Sequence, residues 1–234
     1  MNRLFTDGRW NAANWLSVGF LILLAIFPLL SCRPAVNPAL ASESTYSHDG
    51  SLDPKGKSLT WWLEKCGSEI PEVREQSLGT VFRIYSTGVR DDRILPMIHN
   101  TIRSFDMRDR FGGIIVLDAM QADDAESVSL YLLNSHDEEP LVRLVATRAL
   151  GIEGVKSHLV VPALIERLDD DDYHTRLNAV IALSKHPDVL SQKVLSRIEK
   201  IVVEDISADA ADSERIKINS AADAIKKRGI TEDE

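Results

Sequence analysis

Aromatic residues are scarce in this chain, only 6% of 234 residues, and glycine and proline are modest at 12 and 9 copies. Few aromatics beside many Ala, Leu, Ile and Val residues favour helices over a sandwich or barrel. The two cysteines, Cys32 and Cys66, do not make a disulfide framework in a chain of this length. They also lack the clustered spacing of a zinc site. Positive charge is in deficit too, with a formal net charge of −9. The first 41 residues hold Arg3, Arg9 and Arg33 against Asp7, so the remainder carries −11. Such a surface repels phosphate backbones and anionic headgroups, which disfavours nucleic-acid binding and membrane association except through the N-terminus.

Catalytic signatures are missing as well. There is no H-E-x-x-H, G-x-S-x-G, P-loop or G-x-G-x-x-G. The six histidines, His48, His99, His136, His158, His174 and His186, form no ligand pair on one helix face. No catalytic, cofactor or metal residue is expected, and the chain reads as a non-enzyme. What is present is core material: 44% of residues are hydrophobic, enough for a sizeable folded unit.

The N-terminus reads as an address. Arg3 and Arg9 precede WLSVGFLILLAIFPLL at 15–30, an uncharged run slightly short for a spanning helix. Ser31-Cys32-Arg33 and Pro38-Ala39-Leu40-Ala41 follow, and a basic start, an apolar middle and an A-x-A end define an export segment. Three fates stay open: cleavage after Ala41, cleavage before Cys32 with lipidation of that thiol, or an uncleaved anchor through residues 15–30. Each places residue 42 onward outside the cytoplasm, in the periplasm or cell envelope. Residues 42–57, almost without apolar side chains, read as a flexible linker.

From residue 58 to about 230 the chain repeats itself. Arg143, Ala146, Ala149 and Leu150 recur 33 positions later as Arg176, Ala179, Ala182 and Leu183. Thirty-three positions earlier stand Arg110, Gly113, Val116 and Leu117. A weaker copy lies at Arg74, Ser77, Thr80 and Val81, and another at Ile216 with Ala221, Ala224 and Ile225. Each copy follows a second helical stretch, such as 160–168, whose apolar positions 161, 164, 165 and 168 share one helix face. Pro162 is read into the first turn of that helix. Five helix pairs are predicted, at about 58–86, 91–121, 124–151, 157–185 and 189–228. Acidic segments, Asp137-Glu138-Glu139 and Asp169 to Asp172, separate the helices of a pair and suit helix N-termini. The four aspartates lack the central Gly and distal Glu of an EF-hand calcium loop.

The stretch from Pro162 through Asp170, Arg176, Ala179 and Leu183 resembles a HEAT repeat, as does Asp137 through Arg143, Ala146 and Leu150. The resemblance implies an all-α, right-handed superhelix of about five helix pairs, and a ladder between neighbouring repeats built from an Asp in each turn and an Arg six residues on. The first two pairs depart from it, with Ser68 before Arg74 and Ser104 before Arg110, although Asp106 lies close. The pattern is also similar to the HEAT-like repeats of bilin-lyase-related proteins, which are cytoplasmic. A helper subunit or lyase-like protein acting on a small ligand is therefore the alternative to a protein-binding scaffold.

For the scaffold reading, equivalent positions on the second helices line up as Phe111, Leu144 and Leu177, and as Ile115, Arg148 and Ile181. They are apolar enough to face outward as a groove for a protein or peptide. Packing between repeats is the competing reading. Cys66 reads as a half-buried core residue, or as a reactive thiol beside Lys65. Trp61 and Trp62 read as a cap on the first repeat, or as an anchor for a partner. Gly112-Gly113, inside a helix, reads as a site of close packing.

Overall fold

The computed structural model describes residues 56–152, 154–187, 190–205 and 212–229. The export segment, Cys32 and nearly all of the linker lie outside the described residues. Ten helices and no strand are found among those described: α1 Leu59–Lys65, α2 Pro71–Ser86, α3 Ile94–Ile102, α4 Met107–Ala119, α5 Ala125–Asn134, α6 Pro140–Ala149, α7 Ser157–Arg167, α8 Tyr173–Leu183, α9 Gln192–Asp205 and α10 Asp212–Gly229. None of these is long and apolar enough to cross a membrane.

Local chemistry sets the helix starts. Pro71 and Pro140 occupy the first positions of α2 and α6, where a missing N–H costs nothing. Ser58, Asp106, Asp124 and Asp172 accept first-turn amides of α1, α4, α5 and α8. Pro162 departs from expectation. Helix α7 begins at Ser157, so Pro162 is its sixth residue, past the first turn. Both Pro162 and His158, whose carbonyl loses the i+4 amide, are exposed, so water can serve that carbonyl.

The helices pair as α1/α2, α3/α4, α5/α6, α7/α8 and α9/α10, matching the five expected units. The second helices then pack on one another in a continuous row, α2–α4–α6–α8–α10. The first helices meet one another less, which places the second helices on the inner side of the array. This is translation from unit to unit, not a closed bundle. The repeated apolar positions form the seam: Ala146, Ala149, Leu150, Ala179 and Leu183 are fully buried and Ala182 nearly so. Small residues let the helix axes approach. A methyl group on Gly151 would meet Ala182 Cα and Cβ at 3.1 Å, and one on Gly113 would meet Ile102 Cγ1 at 2.5 Å. Gly113 thus seats α4 on α3, and Gly112 faces Leu78 of α2. Both glycines serve packing.

Candidate partner-binding face

An arginine ladder fixes the end of the array where each first helix turns into its second. Arg110 donates through Nε and Nη2 to Asp137 of the next turn at 2.7 and 2.8 Å. Arg143 treats Asp170 the same way at 2.9 and 3.0 Å. Each guanidinium also turns Nη1 back onto its own turn. Arg74 holds the carbonyls of Ser68 and Glu69, Arg110 those of Ser104 and Phe105, Arg143 those of Asp137 and Glu138, and Arg176 those of Asp170 and Asp171. One side chain therefore rigidifies its own turn and ties it to the next repeat.

Burial alone would push the Asp170 carboxyl up. The Arg143 hydrogen bonds, the Asp172 amide and the charges of Arg143 and Arg167 outweigh it and hold the group below the usual carboxylate range. Asp137 shows the same balance, with Arg110 and the Glu139 amide prevailing. The four aspartates at 169–172 divide their labour. Asp170 joins the ladder, Asp172 caps α8, Asp169 pairs with Arg197 at 2.6 Å, and Asp171 lends its carbonyl to Arg176.

At the joint between the first two units the carboxylates come from elsewhere. Ser104 sits where the aspartate would, and Arg74 reaches Asp106 and Asp109, each at 2.8 Å. Ser104 Oγ donates to Asp109 at 2.8 Å and so steadies it. Asp109 was not singled out from the sequence. Its signal was weak: an acid one turn into a helix, where solvent exposure is the ordinary outcome.

The face proposed from the sequence is partly closed. Ile115 and Leu177 are buried, at 7% and 1% exposure, so they pack between repeats and do not face outward; this corrects the expected column. Phe111, Leu144, Arg148 and Ile181 are half-buried on the inner row. Arg148 is not free there: it donates to Asp118 at 2.8 Å, across from α6 to α4. Asp118 is itself buried, and desolvation raises its pKa despite the opposing charge and hydrogen bond of Arg148 and the charge of Lys185. This second inter-repeat pair was also missed. Its signal was an acid at a register position filled elsewhere by Gly151 and Ser184.

Other candidates resolve as packing. Cys66 is buried, and burial, helped by the Asp109 charge, pushes its thiol up to about 12. That leaves it the core residue and removes the reactive-thiol alternative. Trp62 is buried in the first unit, while Trp61 stacks edge-on against it at 4.7 Å, with Lys57 and Lys65 over its ring. His99 is buried between α3 and α5, its Nε2 2.8 Å from Ser127 Oγ.

The family model of HEAT repeats matches residues 128–213, from α5 into α10. Residues 128–213 of this chain carry HEAT repeats. Among solved structures the chain is similar to the complex of CpcE and CpcF of phycocyanin lyase from Nostoc sp. PCC7120. That match has 17% identity and a TM-score of 0.48, covering 70% of this chain and 96% of the other. It is also similar to an engineered protein, at 15% identity and a TM-score of 0.47, covering 72% of this chain and 79% of the other. No curated protein matches the chain.

Proposed function

We propose that this HEAT-repeat protein is a non-enzymatic scaffold that binds a protein or peptide through the inner row of second helices, and that it works outside the cytoplasm. The observation that carries the binding reading is the half-buried run of Phe111, Leu144 and Ile181 on that row, with Arg148 fixed beside it by Asp118. Apolar groups held on a rigid array lose little freedom on binding, which favours a partner over solvent. The buried titratable groups support a scaffold over chemistry. Asp109, Asp118, Asp170 and His99 are each taken up in contacts between units. The export reading rests on residues 1–41 alone, with anchoring through Cys32 or through residues 15–30 as its finer forms.

The test is affinity capture from envelope extracts with the wild-type repeat region and a Phe111→Glu/Leu144→Glu variant. Partners should be recovered with the wild type and lost with the variant, while far-UV circular dichroism stays the same. Equal recovery would overturn the inner-face assignment. The alternative, a helper acting on a small ligand, would instead show saturable binding of that ligand untouched by the two substitutions.

A further inference from the structure

The turn edge carries a surface that the inner row does not include. Phe105 is fully exposed at 104% of its reference area, and Ile70 and Leu141 are exposed at 56% and 45%. Single exposed apolar residues are ordinary. These three are not scattered, because the ladder places them on successive turns. Arg74 binds the carbonyl of Glu69, next to Ile70, and the carboxylate of Asp106, next to Phe105. Arg110 binds the Phe105 carbonyl at 2.9 Å and Asp137 in the turn that leads to Leu141. Arg108 meets Glu72 at 3.5 Å, and Glu72, Arg108 and Leu141 hold equivalent places in their helices. The strip therefore runs Ile70, Phe105, Leu141 across three units.

Its exposed charge is mainly acidic, with Arg108, 23% exposed, lying between Asp106 and Glu72. Glu69, Glu72 and Glu138 flank the apolar side chains and are exposed, with Asp169 and Asp171 further along the same edge. The nearby ladder arginines are turned inward, with Arg74, Arg110 and Arg143 only 13–16% exposed and engaged by aspartates. A second copy of this chain, with the same acids and a net charge of −9, would be repelled.

We propose that this rim docks a basic segment of a partner protein, whose apolar side chains cover Ile70, Phe105 and Leu141 while its lysines or arginines meet Glu69, Glu72 and Glu138. The turns are already clamped, so docking need not order them. Neighbouring helices pack about 8–10 Å apart, and a polyproline II segment rises about 3.1 Å per residue with about three residues per turn. Apolar groups at every third residue of the partner segment would thus match the strip.

The probe is a fluorescein-labelled 12-residue peptide of repeating Lys-Lys-Leu, with Glu-Glu-Leu as its counterpart, read by fluorescence anisotropy. The lysine peptide should bind, more weakly as salt is raised, and the glutamate peptide should not. Ile70→Ser/Phe105→Ser changes no charge and removes only exposed side chains; it should weaken binding at least about tenfold. Leu144→Glu, on the inner row, should leave this binding within about twofold, which separates failure of the rim from failure of the inner face. Equal affinity of the double variant and the wild type would reduce the interaction to bulk charge and overturn the proposal. So would an absence of lysine-peptide binding, or sedimentation showing that the wild type self-associates through Phe105 while the double variant stays monomeric.

Discussion

The joint between the first two units and the joints further along perform one task with different residues. At the later joints a single aspartate, Asp137 or Asp170, sits six residues before an arginine, accepts a turn amide and takes the preceding unit's guanidinium in two hydrogen bonds. At the first joint that aspartate is Ser104, and its duties are spread. Asp106 caps α4 and takes one arm of Arg74, Asp109 takes another, and Ser104 fastens Asp109. Conservation of the joint is geometric: a carboxylate must stand in front of the incoming guanidinium, and the backbone offers more than one place to hang it. The family match begins at residue 128, after this joint.

Beneath the ladder all the joints share one apolar seam, and damage there should be the most severe. Ala179, fully buried on α8 in the row of second helices, should not tolerate Ala179→Asp. An unpaired carboxylate there costs on the order of 4 kcal/mol or more. Loss of the cooperative melt in circular dichroism is expected; an unchanged midpoint would mean that the units do not share a core. The ladder itself comes next. Arg143→Met strips Asp170, whose side chain is 2% exposed, of its main partner and leaves Arg167 at 3.1 Å and the Asp172 amide at 3.0 Å. The expected loss is about 3 kcal/mol in urea unfolding. Arg74→Met should cost less, about 1–2 kcal/mol, because Asp106 keeps Arg108 and Asp109 keeps Ser104. Equal losses would show that the divided joint has no such reserve.

The array was legible because its determinants recur. A 33-residue offset carried by Arg, Ala, Ala and Leu reports a buried seam, and burial is what such a seam imposes. Helix ends were readable from their caps, except at α7, where the apolar stripe starts later than the backbone and Pro162 was drawn into the first turn. The face was less legible. By register the positions between the seam residues make one outward column, yet Ile115 and Leu177 turn inward while their register partners Arg148 and Leu144 stay half-open. Equivalent places in successive repeats need not share exposure even when the side chain is the same, as Leu144 and Leu177 show. Asp118 was missed for a related reason. Its partner Arg148 lies 30 residues on and belongs to no motif, so only the packing of α4 on α6 brings the two together.

Two ion pairs span the same α4–α6 joint with opposite character. Asp137 at the turn end lies below the usual carboxylate range, and Asp118 lies above it because burial exceeds what Arg148 returns. A depressed carboxyl contributes stability that is present above its unfolded value, about 3.9, and is lost as pH falls through the folded value. A raised carboxyl does the reverse: its contribution is present below that unfolded value and lost as pH rises through the folded one. Asp137→Asn should therefore destabilise at pH 7 by about 1–3 kcal/mol, with the deficit shrinking as pH drops below about 4. Asp118→Asn should leave stability at pH 7 unchanged or raised by up to about 1 kcal/mol, since Arg148 is 29% exposed and can be solvated. Below about pH 4 that difference should vanish. Parallel pH profiles for the two variants would show that both ends of the joint carry the same kind of ion pair.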